Sequence, residues 1–526
     1  MLDSPAVRRT LLACALLIAG AGLAGASPDQ LVPVDDAIVD ELRVLDLYAP
    51  GRDRVPVALA HLGAGPWSVR ELTQAALLQI PGAPLGAGPR AIAACRIMRV
   101  LGRDCGDGRG PAGVTPRTLQ AQWPDGTRAE LSLGVEGEAQ FARAARASTH
   151  RWADGSGVHA RLGLQADRWL IYSHVWFGEL RGVRAFSDAL VANTDLAAST
   201  DESYLLYSAP AWNAQLGRNR WAWGPGEAGS LLLSRTAPSV NGFMLHLRLA
   251  PLHADAFAFS ATVDPGTGEQ LAAHRLEWQP VDAVRLGVAE AARYHAGGWQ
   301  GAYLSGVIPY AMVQRLLDRD HRDSTGALRN NVMVAADASV RIADGSRIYG
   351  ELLVDDLHAR TAQVPNKYGG QLGWSGTGAV GRARLSWSSE TTWLSRYVYT
   401  SFFGRTYAAQ GQPLGFPTGP GARRWRTRVT CDPAVDWQFG VVTARTEHGR
   451  EGLFDPFLPG QPVPDVATLA TPVERSRTVD ATARWWPAGG VDLSVRLGRE
   501  WLANAGNTTG AQTRSWRGAL VFRLTR

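Results

Sequence analysis

From about Thr115 to the end of the chain, apolar residues alternate with polar or small residues at a period of two. The clearest runs are Val491 to Leu497 and Trp516 to Leu524. A strand with one apolar and one polar face suits a wall between lipid and an aqueous lumen. A soluble sandwich produces the same alternation, so periodicity alone leaves both architectures open.

The turns favour a membrane barrel. Tryptophan beside a tight turn is typical of the aromatic girdle at a membrane interface, and short turns at one end with long loops at the other are typical of outer-membrane barrels. With strands of about 10 residues, the span after Thr115 predicts an all-β transmembrane barrel of about 16–18 antiparallel strands. The turn tryptophans are Trp123, Trp278, Trp437, Trp485 and Trp486, and the long polar segments are 144–157, 318–331, 408–424 and 449–476.

The first 26 residues have the form of a secretory signal peptide. Arg8 and Arg9 precede an apolar run from Leu11 to Leu23, and Ala24-Gly25-Ala26 has the small residues of a signal-peptidase site. We expect cleavage after Ala26. No later run approaches the ~18–20 apolar residues of a membrane helix. The exported chain is therefore expected to be periplasmic, secreted or an outer-membrane barrel.

Residues 27–114 have helical patterns, and residues 115–526 have the strand pattern. We expect a small helical bundle on the periplasmic side of the barrel, with independently folded soluble helices as the alternative. Three helices are expected: one through Ile38, Leu42 and Leu45, one after the capping box Ser68–Glu71, and one from Pro89 to Gly102.

Charge and cysteine content exclude some functions. The net charge of +6 is scattered along the chain, and Lys367 is the only lysine, so nucleic acid is not an expected partner. Cys95 and Cys105 can form a disulfide in an oxidising compartment, leaving Cys431 free; three isolated thiols are the alternative. No pair of cysteines has zinc-ligand spacing, and we expect neither a metal nor a cofactor.

The segment from Asn213 to Gly242 combines arginine, tryptophan and a flexible turn. Arg218, Arg220, Trp221 and Trp223 precede Gly224-Pro225-Gly226, and a short apolar run follows. Glycine permits sharp bends and close approach of the backbone. Guanidinium groups bind carboxylates bidentately and aromatic faces stack on planar groups, so the segment suits anionic or sugar-like partners.

Three stretches resemble the Wzi-type capsule assembly proteins: LGRNRWAWGPGEAGSLLLSRTAP at 216–238, IYGELLVDDL at 348–357 and PNKYGGQLGW at 365–374, with a weaker match at 410–420. The resemblance implies an outer-membrane barrel of Gram-negative bacteria with a periplasmic helical bundle. It also implies a lectin that helps to attach capsular polysaccharide, and not an enzyme. The motif residues are Gly224, Pro225, Gly226, Gly229, Ser230, Glu351, Asp355 and Asp356.

Binding is better supported than catalysis. Asp355 and Asp356, near Glu351, could hold a metal or act as an acid–base pair, but acidic groups at strand ends more often pair with arginines. Ser234 lacks the Gly-x-Ser-x-Gly elbow of hydrolases. Arginines can neutralise acidic groups of a polysaccharide, although lumenal arginines also pair with carboxylates. The candidate binding residues are Arg218, Arg220, Trp221, Trp223, Lys367, Tyr368, Trp374, Arg423, Arg424 and Trp425.

These observations lead to one hypothesis and its alternatives. We expect a non-enzymatic, monomeric outer-membrane barrel that binds capsular or exopolysaccharide and contacts membrane lipids; an interaction with the polysaccharide export machinery is left open. We also expect inward side chains and folded loops to close most of the lumen. A porin-like barrel for anionic solutes, a barrel hydrolase and a secreted β-rich protein are the alternatives.

Overall fold

The computed structural model describes most of the chain after residue 29. The predicted signal peptide lies outside the described residues and stays a prediction. The structure describes residues 30–32, 38–48, 63–79, 88–101, 119–144, 150–181, 189–190, 194, 196–264, 266–296, 299–304, 306, 308–317, 330–356, 364–402, 404–486 and 491–525.

Eighteen long antiparallel strands in the described part of the chain form one closed barrel, in which the last strand pairs with the first. The predicted barrel with about 16–18 strands is confirmed. The strands are β1 Arg128–Ala144, β2 His150–Ala166, β3 Trp169–Arg181, β4 Leu196–Ser208, β5 Trp212–Asn219, β6 Val240–Leu249, β7 Ala254–Asp264, β8 Glu269–Val281, β9 Val284–His295, β10 Asn331–Ala343, β11 Ser346–Asp356, β12 Lys367–Val380, β13 Ala383–Leu394, β14 Ala422–Ala434, β15 Trp437–His448, β16 Glu474–Trp485, β17 Val491–Ala503 and β18 Gln512–Thr525.

The two ends of the barrel differ in the length of their connections. Two-residue turns join β10 to β11, β12 to β13 and β14 to β15 at one end, which we call the turn end. At the other end, the loop end, long segments follow β5, β9, β13 and β15. This asymmetry is the one expected of an outer-membrane barrel, whose short turns face the periplasm.

The pleat separates lipid-facing from lumen-facing residues. On β14, Trp425 and Val429 are exposed on the outside, whereas Thr430 and Asp432 are buried on the inside. Exposed tryptophans form a girdle near each end, and Trp278 and Trp437 of the predicted turn tryptophans belong to the one at the turn end. The turn-end girdle contains Trp169, Trp212, Trp278, Trp374 and Trp437, and the loop-end girdle contains Trp393, Trp425 and Trp516.

Three helices precede the barrel and pack around one apolar core: α1 Ile38–Asp46, α2 Val69–Gln79 and α3 Pro89–Val100. The predicted capping box is present, because the Ser68 backbone N–H donates to Glu71 Oε2 at 2.8 Å and the Glu71 N–H donates to Ser68 Oγ at 3.3 Å. No helix in the described residues is long and apolar enough to cross a membrane.

The helical bundle contacts the turn end of the barrel. The Gly345 N–H, in the β10–β11 turn, donates to the Leu47 carbonyl at 3.1 Å, and the Tyr48 hydroxyl donates to the Thr377 carbonyl at 2.9 Å. Arg285 of β9 pairs with Asp46 at 3.0 Å. This arrangement agrees with a helical bundle at residues 27–114 and a barrel at residues 115–526. These boundaries and the periplasmic position of the bundle stay predictions.

The remaining elements are short. Two helices, α4 and α5, follow β9 and pack on the outside of β8 and β9 through Tyr303 and Tyr310. The short elements are α4 Gly301–Leu304, α5 Tyr310–Leu317, the 3-10 turns Ala250–Leu252 and Ala505–Asn507, and the strands Leu31–Val32, Ala64–Gly65, Trp67–Ser68, Leu119–Gln122, Ala189–Leu190, Ala222–Trp223, Ala408–Ala409 and Gln412–Pro413.

Candidate functional site

The connection between β5 and β6 folds into the lumen, and we call residues 220–239 the plug segment. Trp221 and Trp223 are 3% and 1% exposed. The ring of Trp221 lies 4.3 Å from that of Phe259, and the ring of Trp223 lies 6.3 Å from that of Phe257, both on the inner face of β7. Leu231 to Leu233 belong to the same buried cluster. This agrees with the expectation that folded loops occupy the lumen.

Polar side chains of the barrel wall hold the backbone of the plug segment. Glu351 Oε1 on β11 accepts a hydrogen bond from the Leu231 N–H at 2.9 Å. Glu390 on β13 accepts from the Glu227 N–H at 2.8 Å. Gln371 Nε2 on β12 donates to the Gly229 carbonyl at 3.0 Å. These contacts give hydrogen-bond partners to backbone groups that are buried or partly buried.

Glycine is required where the plug segment meets the wall. A Cβ at residue 226 would lie 2.0 Å from the Gly229 carbonyl oxygen and 2.4 Å from Gln371 Oε1. Gly229 has a φ of +147°, which side chains disfavour. The motif glycines therefore let the backbone approach its wall partners closely.

A second loop, residues 395–421, closes over the plug segment. The Tyr399 hydroxyl donates to the Leu231 carbonyl at 2.6 Å, and the Ser234 N–H donates to the Leu414 carbonyl at 2.8 Å. Asp355 on β11 accepts from the Tyr399 N–H at 2.7 Å. The second loop is thus held both by the plug segment and by the wall.

The remaining acidic motif residue and the single lysine lie beside this loop. Lys367 Nζ is 2.6 Å from Asp356 Oδ2 and donates to the Thr400 carbonyl at 2.9 Å. Asp355, Asp356 and Lys367 thus position the second loop. Lys367 is buried, and its contacts are with groups of the protein.

Two of the candidate tryptophans lie on the outside of the barrel. Trp374 and Trp425 are 47% and 52% exposed and belong to the two girdles. Their Nε1 groups donate to Ser346 Oγ at 2.9 Å and Ser389 Oγ at 3.0 Å. With Trp221 and Trp223 buried, none of these four rings lies free on an open lumenal surface.

The other candidate binding residues lie on both the inner and the outer face of the barrel wall. Arg218 Nε on β5 donates to Ser239 Oγ at 3.1 Å, and Arg220 is half-buried at the start of the plug segment. Tyr368 is half-buried on β12. Arg423 is exposed on the outer face, and its Nη2 donates to the Ala467 carbonyl at 2.8 Å. The structure does not gather the ten candidates into one site.

Arg424 does face the lumen, and two further arginines lie below it. Arg424, Arg426 and Arg428 occupy alternate inward positions of β14. Arg428 pairs with Asp40 of α1 at 2.8 Å. In the described part of the chain, neither Arg424 nor Arg426 forms an ion pair. Arg426 and Arg428 were missed in the list of candidates, although their spacing in Arg-Arg-Trp-Arg-Thr-Arg follows the strand period.

More arginines line the same side of the lumen on β16 to β18. Arg496 faces inward on β17 and is exposed, so this side of the lumen is open to water. Arg484 pairs with Asp492, and Arg517 with Asp480. We define the arginine face as Arg424, Arg426, Arg428, Arg484, Arg496 and Arg517; it lies on β14 to β18, whereas the plug segment packs on β6 to β13.

The other predictions concern cysteines, metals and catalysis. Cys95 is disulfide-bonded, and Cys431 is free; Cys105 lies outside the described residues, so the Cys95–Cys105 pairing stays a prediction. Among the described residues, no group of three His, Cys, Asp or Glu side chains could hold a metal. Asp355 and Asp356, which the sequence suggested as a metal site or an acid–base pair, are engaged in contacts with the second loop and with Lys367.

A family model and solved structures are similar to this chain. A family model described as capsule assembly protein Wzi matches residues 118–515. The chain belongs to the Wzi capsule assembly family. It is therefore an outer-membrane β-barrel of a Gram-negative bacterium. No curated protein sequence matches the chain.

Solved structures resemble this Wzi family member. One is Wzi of Escherichia coli, described as an outer-membrane protein involved in group 1 capsule assembly and a carbohydrate-binding β-barrel. The identity is 13% and the TM-score 0.61, over 94% of this chain and 99% of that one. Another is OccAB1 of Acinetobacter baumannii, with 10% identity and a TM-score of 0.45, over 76% of this chain and 96% of that one.

The motifs of this Wzi family member converge on the plug segment. The first stretch supplies the plug itself, the second supplies Glu351 and Asp355, and the third supplies Gln371. Glu351 and Gln371, which are far from the first stretch in sequence, thus hold the plug segment against the wall, and Asp355 holds the second loop over it.

Proposed function

We propose that this Wzi family member binds an anionic surface polysaccharide at its arginine face and thereby assists the attachment or assembly of a capsule or exopolysaccharide. The observation that carries the proposal is the position of Arg424 and Arg426, which face the lumen without an ion-pair partner in the described residues. Guanidinium groups bind carboxylates with strong, charge-assisted hydrogen bonds.

The spacing of the arginines suits a repeating polymer. Alternate residues of a strand lie about 6.6–6.8 Å apart, so β14 presents guanidinium groups at regular intervals from the loop end inward. Several weak contacts along one chain give an overall affinity far above that of each contact. A polysaccharide with acidic groups in its repeat would engage several of these arginines at once.

The same arrangement supports a binding role over catalysis or transport. The motif carboxylates are occupied in holding the plug segment and the second loop. The plug segment fills the lumen beside β6 to β13 with apolar side chains. We therefore propose a non-enzymatic protein in which the polymer contacts the open side of the lumen at the loop end.

Binding of the purified, detergent-solubilised protein to the host's own surface polysaccharide tests this proposal. In the variant Arg424→Gln/Arg426→Gln, we expect affinity at low salt to fall at least tenfold, because hydrogen bonds to charged groups contribute about 1.5–3 kcal/mol each. Wild-type affinity should also fall as salt rises.

The matched control is Arg168→Gln/Arg382→Gln, which removes the same charge from exposed turns at the opposite end. This variant should bind like the wild type. Wild-type affinity in the Arg424→Gln/Arg426→Gln variant would place the binding site elsewhere. No binding by any form at low salt would reject the proposed function itself.

A further inference from the structure

The outer surface of β14 to β18 carries a second group of arginines, separate from the arginine face. We define the outer arginine patch as Arg423, Arg445, Arg475, Arg477, Arg499 and Arg514. Strand register places them on the outward face: Trp425 lies opposite Arg445, Arg445 opposite Arg477, and Trp501 opposite Arg514. Trp425 is lipid-facing, so its register neighbours face outward as well.

The patch lies at one level of the barrel. Arg445, Arg477 and Arg514 share a register row with Trp425 of the loop-end girdle. The guanidinium of Arg499 lies 5.3 Å from the ring centres of both Trp501 and Trp516. Tryptophan marks the interface between hydrocarbon and headgroups. The arginines therefore stand at the headgroup level of the outer leaflet.

Directly below the patch the surface is apolar. Val429, Val441, Val479 and Leu497 are exposed on the same outward face, nearer the middle of the barrel. A molecule bound to the patch would thus meet guanidinium groups above and a lipid-facing apolar wall beneath. That combination fits an amphipathic ligand with an anionic head.

The positive charge of the patch is not balanced on the outward face of the strands that carry it. Among the outward-facing residues that the structure describes on β14 to β18, the one carboxylate is Glu447, which lies 2.8 Å from Arg445 and 3.4 Å from Arg475. Arg445 and Arg477 stand directly opposite each other. Like charges directly opposite on neighbouring strands are destabilising. A bridging anion would relieve this repulsion.

On the outer surface, this imbalance is confined to part of the barrel wall. The inward arginines Arg275, Arg384 and Arg517 each pair with a carboxylate. The described outward residues of β12 and β13 include no charged side chain. The patch is therefore a localised cationic surface at the membrane interface.

We propose that the outer arginine patch binds the phosphorylated sugar headgroup of an outer-leaflet glycolipid of the lipid A type. Arginine matches the geometry of phosphate through bidentate hydrogen bonds. Neighbouring strands are about 4.8 Å apart, so the row from Arg445 to Arg514 spans about 14 Å and can contact more than one phosphate. The acyl chains would lie on the apolar wall below. A soluble polysaccharide would make no use of that wall, which is why the lipid is favoured.

Native mass spectrometry of the full-length protein in a phosphate-free detergent, titrated with diphosphoryl lipid A, tests the proposal. The variant is Arg477→Gln/Arg514→Gln, because both side chains belong to the row and are exposed. We expect at least a tenfold loss of apparent affinity in this variant. The same lipid without its phosphates should bind the wild type and the variant equally weakly.

The control Arg168→Gln/Arg382→Gln should retain wild-type affinity for the lipid, and unheated gel mobility confirms that each barrel is folded. Wild-type lipid affinity in Arg477→Gln/Arg514→Gln would overturn the proposal. So would a loss of polysaccharide binding with lipid binding unchanged, which would assign the patch to the polymer. Because Arg424→Gln/Arg426→Gln should lose polysaccharide and keep lipid A, the two proposals can fail independently.

Discussion

The carboxylate of Glu351 accepts a hydrogen bond at 2.9 Å from the backbone N–H of Leu231, although 120 residues separate the two. Glu351 is 2% exposed and projects from the wall strand β11, and Leu231 is fully buried in the plug segment. The contact joins two sequence motifs that have no evident relation along the chain. The wall strand β11 therefore helps to fix the position of the plug segment.

This contact predicts how the lumen can be opened. Removing the acceptors in Glu351→Ala/Glu390→Ala leaves the buried N–H of Leu231 and the partly buried N–H of Glu227 without partners, and a buried N–H without a partner costs about 1–3 kcal/mol. We expect the wild type to show little conductance in a planar bilayer and the double variant to show frequent open events. Glu447→Ala, which removes an outer carboxylate, should behave like the wild type. Sustained porin-like conductance of the wild type would contradict the plugged arrangement and favour transport.

The sequence was sufficient for the architecture because strand alternation and girdle tryptophans are local signals. Period two together with the turn tryptophans predicted the barrel, and Ser68 with Glu71 predicted a helix start that the structure contains. That the plug segment folds into the lumen could not be predicted from local signals. Its position depends on contacts between residues distant in sequence, such as Glu351 and Leu231.

At the candidate site, too, the sequence could not predict contacts between distant residues. Trp221 and Trp223 combine with arginine in sequence as a sugar-binding surface would, yet the structure buries both rings against the inner face of β7. Alternation places Arg424 and Trp425 on opposite faces of β14, but it does not say whether Arg424 has a carboxylate partner across the lumen. That depends on which side chains of distant strands and of the plug segment lie close to it.

Trp223 is expected to be a core residue of the plug. The variant Trp223→Ala removes a nearly fully buried ring from the cluster with Phe257 and Phe259, and such truncations cost about 3–5 kcal/mol. Urea unfolding in detergent should show a clearly lower midpoint. Trp374→Ala, on the outer girdle, should lower the midpoint less, because its ring is 47% exposed. Equal effects of the two substitutions would argue against burial of Trp223 in the plug.

Lipid-borne quenchers should separate the outer tryptophans from the inner ones. Brominated acyl chains quench a ring only at close contact, so Trp425→Phe and Trp516→Phe should each reduce the quenchable part of the fluorescence. Trp221→Phe and Trp223→Phe should reduce total fluorescence and leave the quenchable part unchanged, since both rings are enclosed by the barrel. Quenching that depends on Trp223 would place the plug segment at the lipid surface instead of in the lumen.

The helical bundle is anchored by a buried carboxylate, Glu41 of α1. Its Oε1 accepts hydrogen bonds from Arg96 of α3 at 2.9 Å and from Arg384 of β13 at 2.8 Å. Burial by itself raises the pKa of Glu41, but the attraction of Arg384 and Arg96 outweighs burial and lowers the pKa from 4.5 to about 2. The ionised form is therefore the one that joins the bundle to the barrel.

A lowered pKa gives the anchor a defined pH dependence. Its stabilising effect is fully present above the unfolded value of 4.5 and is lost as the pH falls towards the folded value of about 2. Glu41→Gln, which is neutral at every pH, should lower the melting temperature of the bundle most above pH 4.5, by an amount that reflects about 3–5 kcal/mol for breaking a buried pair. The difference from the wild type should shrink as the pH approaches 2. Asp344→Asn, in an exposed turn, should give a small difference at all pH values. If the Glu41→Gln difference instead grew towards low pH, the ionised carboxylate could not be the anchor.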